Sequence, residues 1–235
     1  LMAKLILIPT PIVEDSLSDI TEYTKASISD LRFFVVENLR TARRILRKYG
    51  YQANFDSEVQ FFEYDKHSKN LSFAEIESWF KQGHSVGLMS EAGMPCIADP
   101  GNEVVRLAHK HNIRVDVLSG PSSIFMALVV SGLNGQNFAF NGYLPIDMSE
   151  KSKKLKSLES RVLSEGQTQL FMETPYRNLG LFELILKTCS PNIFLGIAAN
   201  IGGQPSIIQT KKISEWKTQS PPQMHKLPAI FSLGN

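Results

Sequence analysis

Candidate chemistry is concentrated in a segment rich in glycine and proline, residues 90–101, with the sequence SEAGMPCIADPG. An apolar run typical of a strand precedes it, and an amphipathic run typical of a helix follows it. The two glycines and two prolines hold the backbone to a specific path. In an open α/β sheet, ligands bind outside the carboxyl ends of the strands, where this segment would lie. The residues alone support a ligand-binding loop and an ordinary connection about equally.

Three further segments stand at predicted strand ends. Residues 119–123 (SGPSS) lie between a strand and a helix. Their free N–H groups and hydroxyls could hold a carboxylate or a phosphate, although simple capping of the helix by serine explains them at least as well. Residues 173–177 (ETPYR) lie at a strand-to-helix junction, and residues 9–11 (PTP) form a stiff turn with few donors.

Several common classes of site are excluded by what these segments lack. The first predicted strand leads into Pro-Thr-Pro and not into G-x-G-x-x-G, and the chain has no Walker A loop, so the usual dinucleotide and nucleoside triphosphate sites are excluded. The glycine-rich loop usual in methyltransferases is also absent. The two cysteines, Cys96 and Cys189, are far apart, and the histidines have no metal-ligand spacing. We therefore expect no metal site and a reducing, cytoplasmic environment.

The elements that must position these segments change character half-way along the chain. Up to residue 118, short β-branched or aromatic runs alternate with amphipathic runs, which predicts an N-terminal parallel α/β domain. Residues 119–235 contain more strands without intervening helices, which predicts a C-terminal α+β domain with a mixed sheet. No apolar run approaches the roughly 18 residues of a membrane span, and no signal peptide pattern is visible, so no membrane association is expected.

The charge of the chain is balanced overall but clustered locally. The formal net charge of +2 excludes a wholly polycationic nucleic-acid binder. Five cations nevertheless share one arc of a predicted helix: Arg40, Arg43, Arg44, Arg47 and Lys48. No acid stands among them, so the arc would suit an RNA backbone or be a solvated face. A second cluster follows, with only Glu150 and Glu159 as accompanying acids: Lys151, Lys153, Lys154, Lys156 and Arg161.

The order and spacing of these segments resemble the tetrapyrrole methylase superfamily. The resemblance also includes VENLR (36–40), SGL (131–133) and GYLP (142–145), and it is most specific in residues 90–101. It is closest to the branch that methylates a ribose 2′-hydroxyl of a cytidine in small-subunit ribosomal RNA. It implies S-adenosylmethionine as cofactor, a two-domain α/β fold with the cofactor in the cleft between the domains, a homodimer, and RNA or a ribosomal subunit as substrate.

The resemblance also implies roles for single residues. Those expected to line the cofactor are Pro9, Ser90, Ala92, Gly93, Met94, Ile97, Ser122, Ser123, Met172 and Ala229. A ribose hydroxyl is a poor nucleophile and needs a base or an orienting acceptor. The candidates for this role are Glu91, Asp99 and Glu37, and Glu173 is a further one. For each of them the alternative role is helix capping or ion pairing. Arg177 could contact a phosphate or the cofactor carboxylate, or be an exposed helix arginine.

Two departures from the family pattern leave the function open. Asn38 stands where the family has an aspartate, and residues 198–202 (AANIG) replace the family's R-E-L-T-K. The chain is therefore a divergent member, in which the cofactor loops are better preserved than the substrate side. The alternatives to an RNA ribose methyltransferase are a tetrapyrrole methyltransferase and a non-catalytic RNA-binding paralogue that retains the cofactor pocket.

Overall fold

The computed structural model describes residues 3–13, 16–64 and 72–235. The chain divides into two compact units, Leu1–Ser122 and Ser123–Asn235. Each unit is built on its own five-stranded sheet. The α/β fold class predicted from the sequence is confirmed.

The first unit is a parallel sheet with the strand order β3-β2-β4-β1-β5. Its elements are β1 (Lys4–Ile8), α1 (Glu22–Ser27), β2 (Phe33–Val36), α2 (Leu39–Lys48), β3 (Gln60–Glu63), α3 (Ala74–Lys81), β4 (Val86–Met89), α4 (Asn102–Lys110) and β5 (Arg114–Val117). Because every strand runs in the same direction, the loops after β1, β2, β4 and β5 emerge at one edge, which we call the carboxyl edge.

Alternate side chains of this sheet enter two separate cores. Ile8 and Phe34 face one core, which Leu46 of α2 completes. Leu5 faces the other core together with residues of α3 and α4. Helices therefore cover both faces, as continuous apolar strands require. Gly87 of β4 permits this packing, since a Cβ there would lie 2.7 Å from Ile8 Cδ1 and 2.8 Å from Phe34 Cδ1.

The second unit has a mixed sheet with the order β6-β7-β10-β8-β9. Its elements are α5 (Ser123–Ser131), β6 (Phe138–Tyr143), α6 (Met148–Glu165), β7 (Thr168–Glu173), a 3₁₀ turn (Pro175–Arg177), α7 (Asn178–Thr188), β8 (Phe194–Ala199), β9 (Ile207–Lys212), α8 (Ile213–Trp216) and β10 (Ala229–Gly234). Only β6 and β7 pair in parallel, and the other pairs are antiparallel. Helices α6 and α7 pack on one face. Helix α5 lies on the other, close to Gly196, where a Cβ would be 3.4 Å from Ser131 Cβ.

Three helix starts are formed in different ways. Helix α3 begins at Ala74, and its N-cap residue, Phe73, makes no side-chain bond, while the Ser72 hydroxyl accepts a hydrogen bond of 3.3 Å from the Ala74 amide. The strand-to-helix junction at residues 173–177 contains the 3₁₀ turn, and α7 follows from Asn178. Helix α2 is capped by Asn38, whose side chain accepts a hydrogen bond from the Thr41 amide.

Candidate cofactor and substrate site

Two loops of the first unit are joined at its carboxyl edge. The amides and carbonyls of Thr10 and Gly93 exchange two hydrogen bonds of 2.9 Å. The Thr10 hydroxyl adds a third bond to the Gly93 carbonyl at 3.2 Å. Both residues are buried. The Pro-Thr-Pro turn after β1 is therefore fixed against the 90–101 loop after β4.

The loop after β5 packs against the same two loops. A Cβ on Gly120 would lie 2.0 Å from Pro9 Cβ and 3.4 Å from Met94 Sδ, so this approach requires glycine. Gly93 has a φ of +73°, and a Cβ there would lie 3.3 Å from the Pro121 carbonyl oxygen. The structure thus brings together Pro9, Gly93 and Met94, three of the residues that the sequence predicted at the cofactor.

Ser90 supplies an unsatisfied polar group at the start of the 90–101 loop. The residue is 5% exposed, and its hydroxyl has no hydrogen-bond partner among the described residues. Buried polar groups in proteins are nearly always paired, so this hydroxyl is available to a ligand. The backbone that follows is strained, since Cys96 and Ala98 have φ values of 69° and 63°. Such strain concentrates at functional sites.

Cys96 is not an activated nucleophile. Burial raises the pKa of its thiol to about 11, and the nearby carboxylates of Asp99 and Glu103 add to the shift. The thiol therefore stays protonated at neutral pH, and the chemistry of this loop does not depend on a thiolate.

Two of the candidate carboxylates are linked. The Glu37 carboxylate after β2 accepts a hydrogen bond of 3.1 Å from the Glu91 amide after β4. The carboxylate of Glu91, which is exposed, accepts a hydrogen bond of 3.0 Å from the Thr41 hydroxyl on α2. Asp99 lies half-buried further along the same loop. The sequence did not identify Thr41 as a site residue, because its role depends on a contact with Glu91, 50 residues further along the chain.

Tyr49 also supports this edge and was missed as a site residue. Its hydroxyl donates a hydrogen bond of 2.7 Å to the Pro9 carbonyl. Burial raises the pKa of this phenol well above its usual range, so it remains a donor. Tyr49 follows directly on α2 and its ring is buried, which helical periodicity can indicate, but periodicity does not identify the bond to Pro9.

In the second unit Met172 and Ala229 lie near each other, at the end of β7 and the start of the neighbouring strand β10. Ala229 of β10 pairs with Glu173, and Ile230 pairs with Met172. Met172 is half-buried and Ala229 is buried. Ser123 begins α5 and is half-buried, as is Ser122 just before it. Nothing in this arrangement assigns these four residues to a ligand, and their roles stay predictions.

Glu173 is not a free carboxylate. It is 3% exposed, and Lys151, which is 4% exposed, donates to its Oε2 at 2.5 Å. Its Oε1 accepts hydrogen bonds from Arg177 Nε at 3.0 Å and from the Thr174 amide at 2.8 Å, and it forms an ion pair with Arg177 Nη2 at 2.9 Å. Burial alone would raise the pKa of Glu173, but the bonds from Lys151 and Thr174 and the charge of Lys151 bring it below its usual range. Lys151 is accordingly buried inside the unit and not part of an exposed basic face.

The cations of the basic arc of α2 differ in their contacts, since two of them interact with the loop that follows the helix. Arg43 pairs with Asp56 at 3.1 Å. Arg47 donates to the carbonyls of Tyr51 and Ala53 and lies 3.9 Å from the centre of the Phe55 ring. Arg40 and Arg44 are exposed, and Arg47 remains exposed as a residue despite these contacts. No acid stands within residues 40–48, as the sequence shows, but Asp56 approaches Arg43 from the following loop.

The comparison with known families decides the class of protein. The family model described as Tetrapyrrole (Corrin/Porphyrin) Methylases matches residues 5–213. The chain belongs to the tetrapyrrole methylase family. It is an S-adenosylmethionine-dependent methyltransferase, as the motifs implied.

Curated relatives of this tetrapyrrole methylase carry the name Ribosomal RNA small subunit methyltransferase I. The protein from Thermotoga maritima is 32% identical over 186 residues, which are 79% of this chain and 78% of the relative. The protein from Bacillus subtilis is 32% identical over 176 residues, which are 75% of this chain and 56% of the relative. That from Hydrogenobaculum is 31% identical over 84% of this chain and 80% of its own length.

Solved structures of the family share the fold. The methyltransferase CobJ superposes with a TM-score of 0.62 at 12% identity, over 99% of this chain and 94% of CobJ. Uroporphyrin-III-C-methyltransferase from Thermus thermophilus gives a TM-score of 0.56 at 15% identity, with the same coverage. At these identities the likeness concerns the fold alone.

The loops of this tetrapyrrole methylase fit the cofactor that its family uses. A polar ligand would find a hydrogen-bond partner in the Ser90 hydroxyl, which has none among the described residues. It would find space beside Gly93, which has no side chain, and beside the fixed turn at Pro9. Within the described ranges no helix is long and apolar enough to cross a membrane. The same residues contain no group of three or more His, Cys, Asp or Glu side chains that could hold a metal ion.

Proposed function

We propose that this enzyme methylates the ribose 2′-hydroxyl of a cytidine in small-subunit ribosomal RNA. The supporting observation is the identity of about a third to proteins named Ribosomal RNA small subunit methyltransferase I over most of the chain. The methyltransferase CobJ and the uroporphyrin-III-C-methyltransferase, which share the fold, are only 12 and 15% identical to this chain. Such an enzyme would work in the cytoplasm, where ribosomal RNA is.

The proposed cofactor residues of the first unit lie on the three loops of its carboxyl edge. Ser90 offers a hydroxyl and Gly93 an unobstructed backbone, while Pro9 and Met94 supply an apolar surface. Ala92, Ile97 and Ser122 belong to the same loops. S-adenosylmethionine supplies a methyl group on a positively charged sulfur. The task of these residues is to hold that group in line with the acceptor at about 3–3.5 Å.

We propose that the Glu91 carboxylate is the base that accepts the proton of the ribose 2′-hydroxyl. When the ribose oxygen forms its bond to the methyl carbon, its proton must leave, and a carboxylate within reach can take it. The Glu91 carboxylate is exposed and is oriented by the Thr41 hydroxyl. Glu37 accepts a hydrogen bond from the Glu91 amide and so helps to hold the backbone of Glu91 in place. Glu91 is therefore the proposed base, and Glu37 and Thr41 are positioning residues.

The exposed arginines of α2 suit the RNA backbone. Arg40 makes no hydrogen bond or ion pair with the residues that the structure describes, and it is exposed. A guanidinium in this state can contact a phosphate without breaking an internal bond. Arg44 lies on the same exposed side.

The test is methylation of small ribosomal subunits with radiolabelled S-adenosylmethionine, followed by mapping of the labelled nucleotide. We expect label on a cytidine that becomes resistant to alkaline cleavage, because the 2′-hydroxyl is blocked. Label on a base, or on a porphyrinoid and not on RNA, would overturn the proposal. Absence of any label, with the cofactor bound, would favour a non-catalytic RNA-binding protein.

We also propose that the enzyme is a homodimer. Helix α5 is apolar on its outer side as well as its inner side, with Phe125, Val129 and Val130 exposed. Val129 is 79% exposed, and Ile208 of β9 adds to the same surface. A contiguous exposed apolar patch is typical of an interface between proteins.

A further inference from the structure

An exposed aromatic ring with basic neighbours stands on the second unit and takes no part in the chemistry described so far. Tyr176, in the 3₁₀ turn after β7, is 72% exposed. The Lys226 ammonium lies 5.9 Å from the centre of its ring. The His225 ring meets it nearly edge-on at 6.2 Å. Arg177 follows in the same turn with a side chain that is 45% exposed.

This cluster is held rigid by bonds from both segments that carry it. The Lys226 amide donates to the Pro175 carbonyl at 3.2 Å. Asn178, which is fully buried, donates from its side chain to the Leu227 carbonyl at 2.6 Å. These two bonds fasten the 175–177 turn to the 224–227 segment. A surface that is already ordered loses little entropy when it binds a partner.

Arg177 is oriented by a buried acid. Its Nε atom donates to Glu173 Oε1 and its Nη2 atom forms an ion pair with the same oxygen, while Lys151 occupies the other carboxylate oxygen. Its Nη1 atom makes no bond with any residue in the described ranges. Because Glu173 is buried, it fixes the guanidinium without offering negative charge at the surface. The free edge of Arg177 is thus presented to solvent for an anion.

The combination of an exposed ring and fixed cations matches single-stranded nucleic acid. Proteins bind unpaired strands by stacking bases on aromatic side chains while cations follow the phosphates. An acidic protein partner would use the cations but would not require the open ring. The turn also follows directly on Met172 and Glu173, at the strand edge that Ala229 shares.

We propose that Tyr176, Arg177, His225 and Lys226 form a platform for a single-stranded segment of the RNA substrate. One base stacks on Tyr176, while Arg177 and Lys226 contact phosphates and His225 supports the ring. Lys151 and Glu173 are positioning residues that act through Arg177. This inference rests on the proposed RNA substrate and deepens it.

The experiment measures binding of a fluorescein-labelled oligocytidylate RNA by anisotropy over a range of salt concentrations. Tyr176→Ala should weaken binding about tenfold, and Tyr176→Phe should restore most of that loss. Arg177→Gln and Lys226→Gln should each lower the magnitude of the salt slope of log K by about 0.7. Lys187→Gln, an exposed lysine at the far end of α7, is the matched control and should leave the slope unchanged.

Binding of S-adenosylhomocysteine, measured by calorimetry, separates the platform from the cofactor site. All four platform variants should bind it as the wild type does. If Arg177→Gln instead loses cofactor affinity and keeps its RNA salt slope, the arginine serves the cofactor and the platform is wrong. Equal RNA affinity for Tyr176→Ala and Tyr176→Phe would also overturn it.

The wild-type enzyme distinguishes this inference from the function on which it rests. If the wild type labels the small subunit and the platform variants bind RNA normally, the platform alone is refuted. If the wild type neither labels the subunit nor binds the RNA, the proposed function fails and the platform fails with it.

Discussion

Gly93 gives the most direct residue-scale test of the cofactor site. Its φ of +73° strains any side chain, and a Cβ there would stand 3.3 Å from the Pro121 carbonyl. Gly83 has a similar φ of +84° with nothing within 4 Å. Gly93→Leu and Gly83→Leu should therefore both lose at least about 1 kcal/mol of stability. Only Gly93→Leu should abolish the calorimetric signal of S-adenosylhomocysteine. Unaltered binding by Gly93→Leu would remove this loop from the cofactor site.

Thr41 is the residue that tests the assignment of the base. Its hydroxyl holds the Glu91 carboxylate at 3.0 Å. A hydrogen bond to a charged group contributes about 1.5–3 kcal/mol, so Thr41→Val should lower kcat at least about tenfold while cofactor affinity stays constant. Thr41→Ser should recover the rate, since it keeps the hydroxyl. A fall in cofactor affinity with constant kcat would mean that Thr41 shapes the cofactor loop and that Glu91 is not oriented by it.

At the scale of elements, α2 shows what a charge pattern in a sequence predicts and what it leaves out. The arc of five cations was visible from spacing, and α2 has the predicted amphipathic form. Which arginines are engaged within the unit depends in part on residues 51–56, which contact Arg43 and Arg47. That contact arises between a helix and a loop, and no local periodicity encodes it. The cap by Asn38 was likewise present in the sequence but read only as a departure from the family motif.

This division of α2 predicts opposite effects for two of its arginines. Arg40→Gln should reduce the magnitude of the salt slope of RNA binding by about 0.7–0.9 and leave the melting temperature unchanged. Arg47→Gln should lower the melting temperature, because it removes bonds to the Tyr51 and Ala53 carbonyls and the contact with Phe55. Its salt slope should stay the same. Thermal denaturation and fluorescence anisotropy of the two variants test this prediction. A lower melting temperature for Arg40→Gln together with a lower salt slope for Arg47→Gln would contradict it.

Helix α6 and strand β7 are joined by the Lys151–Glu173 pair, which gives a stability prediction. Lys151→Met leaves the buried Glu173 Oε2 without its partner, although Arg177 still pairs with Oε1, so the change should cost about 1–3 kcal/mol. Lys151→Met with Glu173→Leu should recover most of that loss. The pKa of Glu173 is lowered from its ordinary 4.5. Its contribution is therefore complete above pH 4.5 and is lost as pH falls through the lower folded value. Denaturation at pH 7 and in acid checks both statements, and equal losses in the single and double variants would contradict the first.

On the scale of the whole molecule, the sequence predicted the two sheets better than it predicted their surfaces. Alternating runs gave the parallel sheet and its carboxyl-edge loops, because backbone periodicity is local. The Lys151 cluster looked like a basic face, yet Lys151 is buried, Lys153 pairs with Glu150, and Lys156 pairs with Glu159. Burial of a charge depends on a partner elsewhere in the chain, in this case Glu173. The exposed ring of Tyr176 was missed for the same reason, since its basic neighbours come from a distant segment.

The apolar outer side of α5 carries the prediction about assembly. Val129 is 79% exposed, although α5 has no charged residue that would keep this side in water. Burying such side chains against a second copy gains roughly 25 cal/mol per Å² of apolar surface, whereas an aspartate there would be buried without a partner. Light scattering should give about twice the 26.3 kDa of one chain. Val129→Asp should shift the enzyme to the monomer, while Val117→Asp, the same change at a 63% exposed valine of the other unit, should not. If the wild type is a monomer at micromolar concentration, or if both variants stay dimeric, α5 is not the dimer interface.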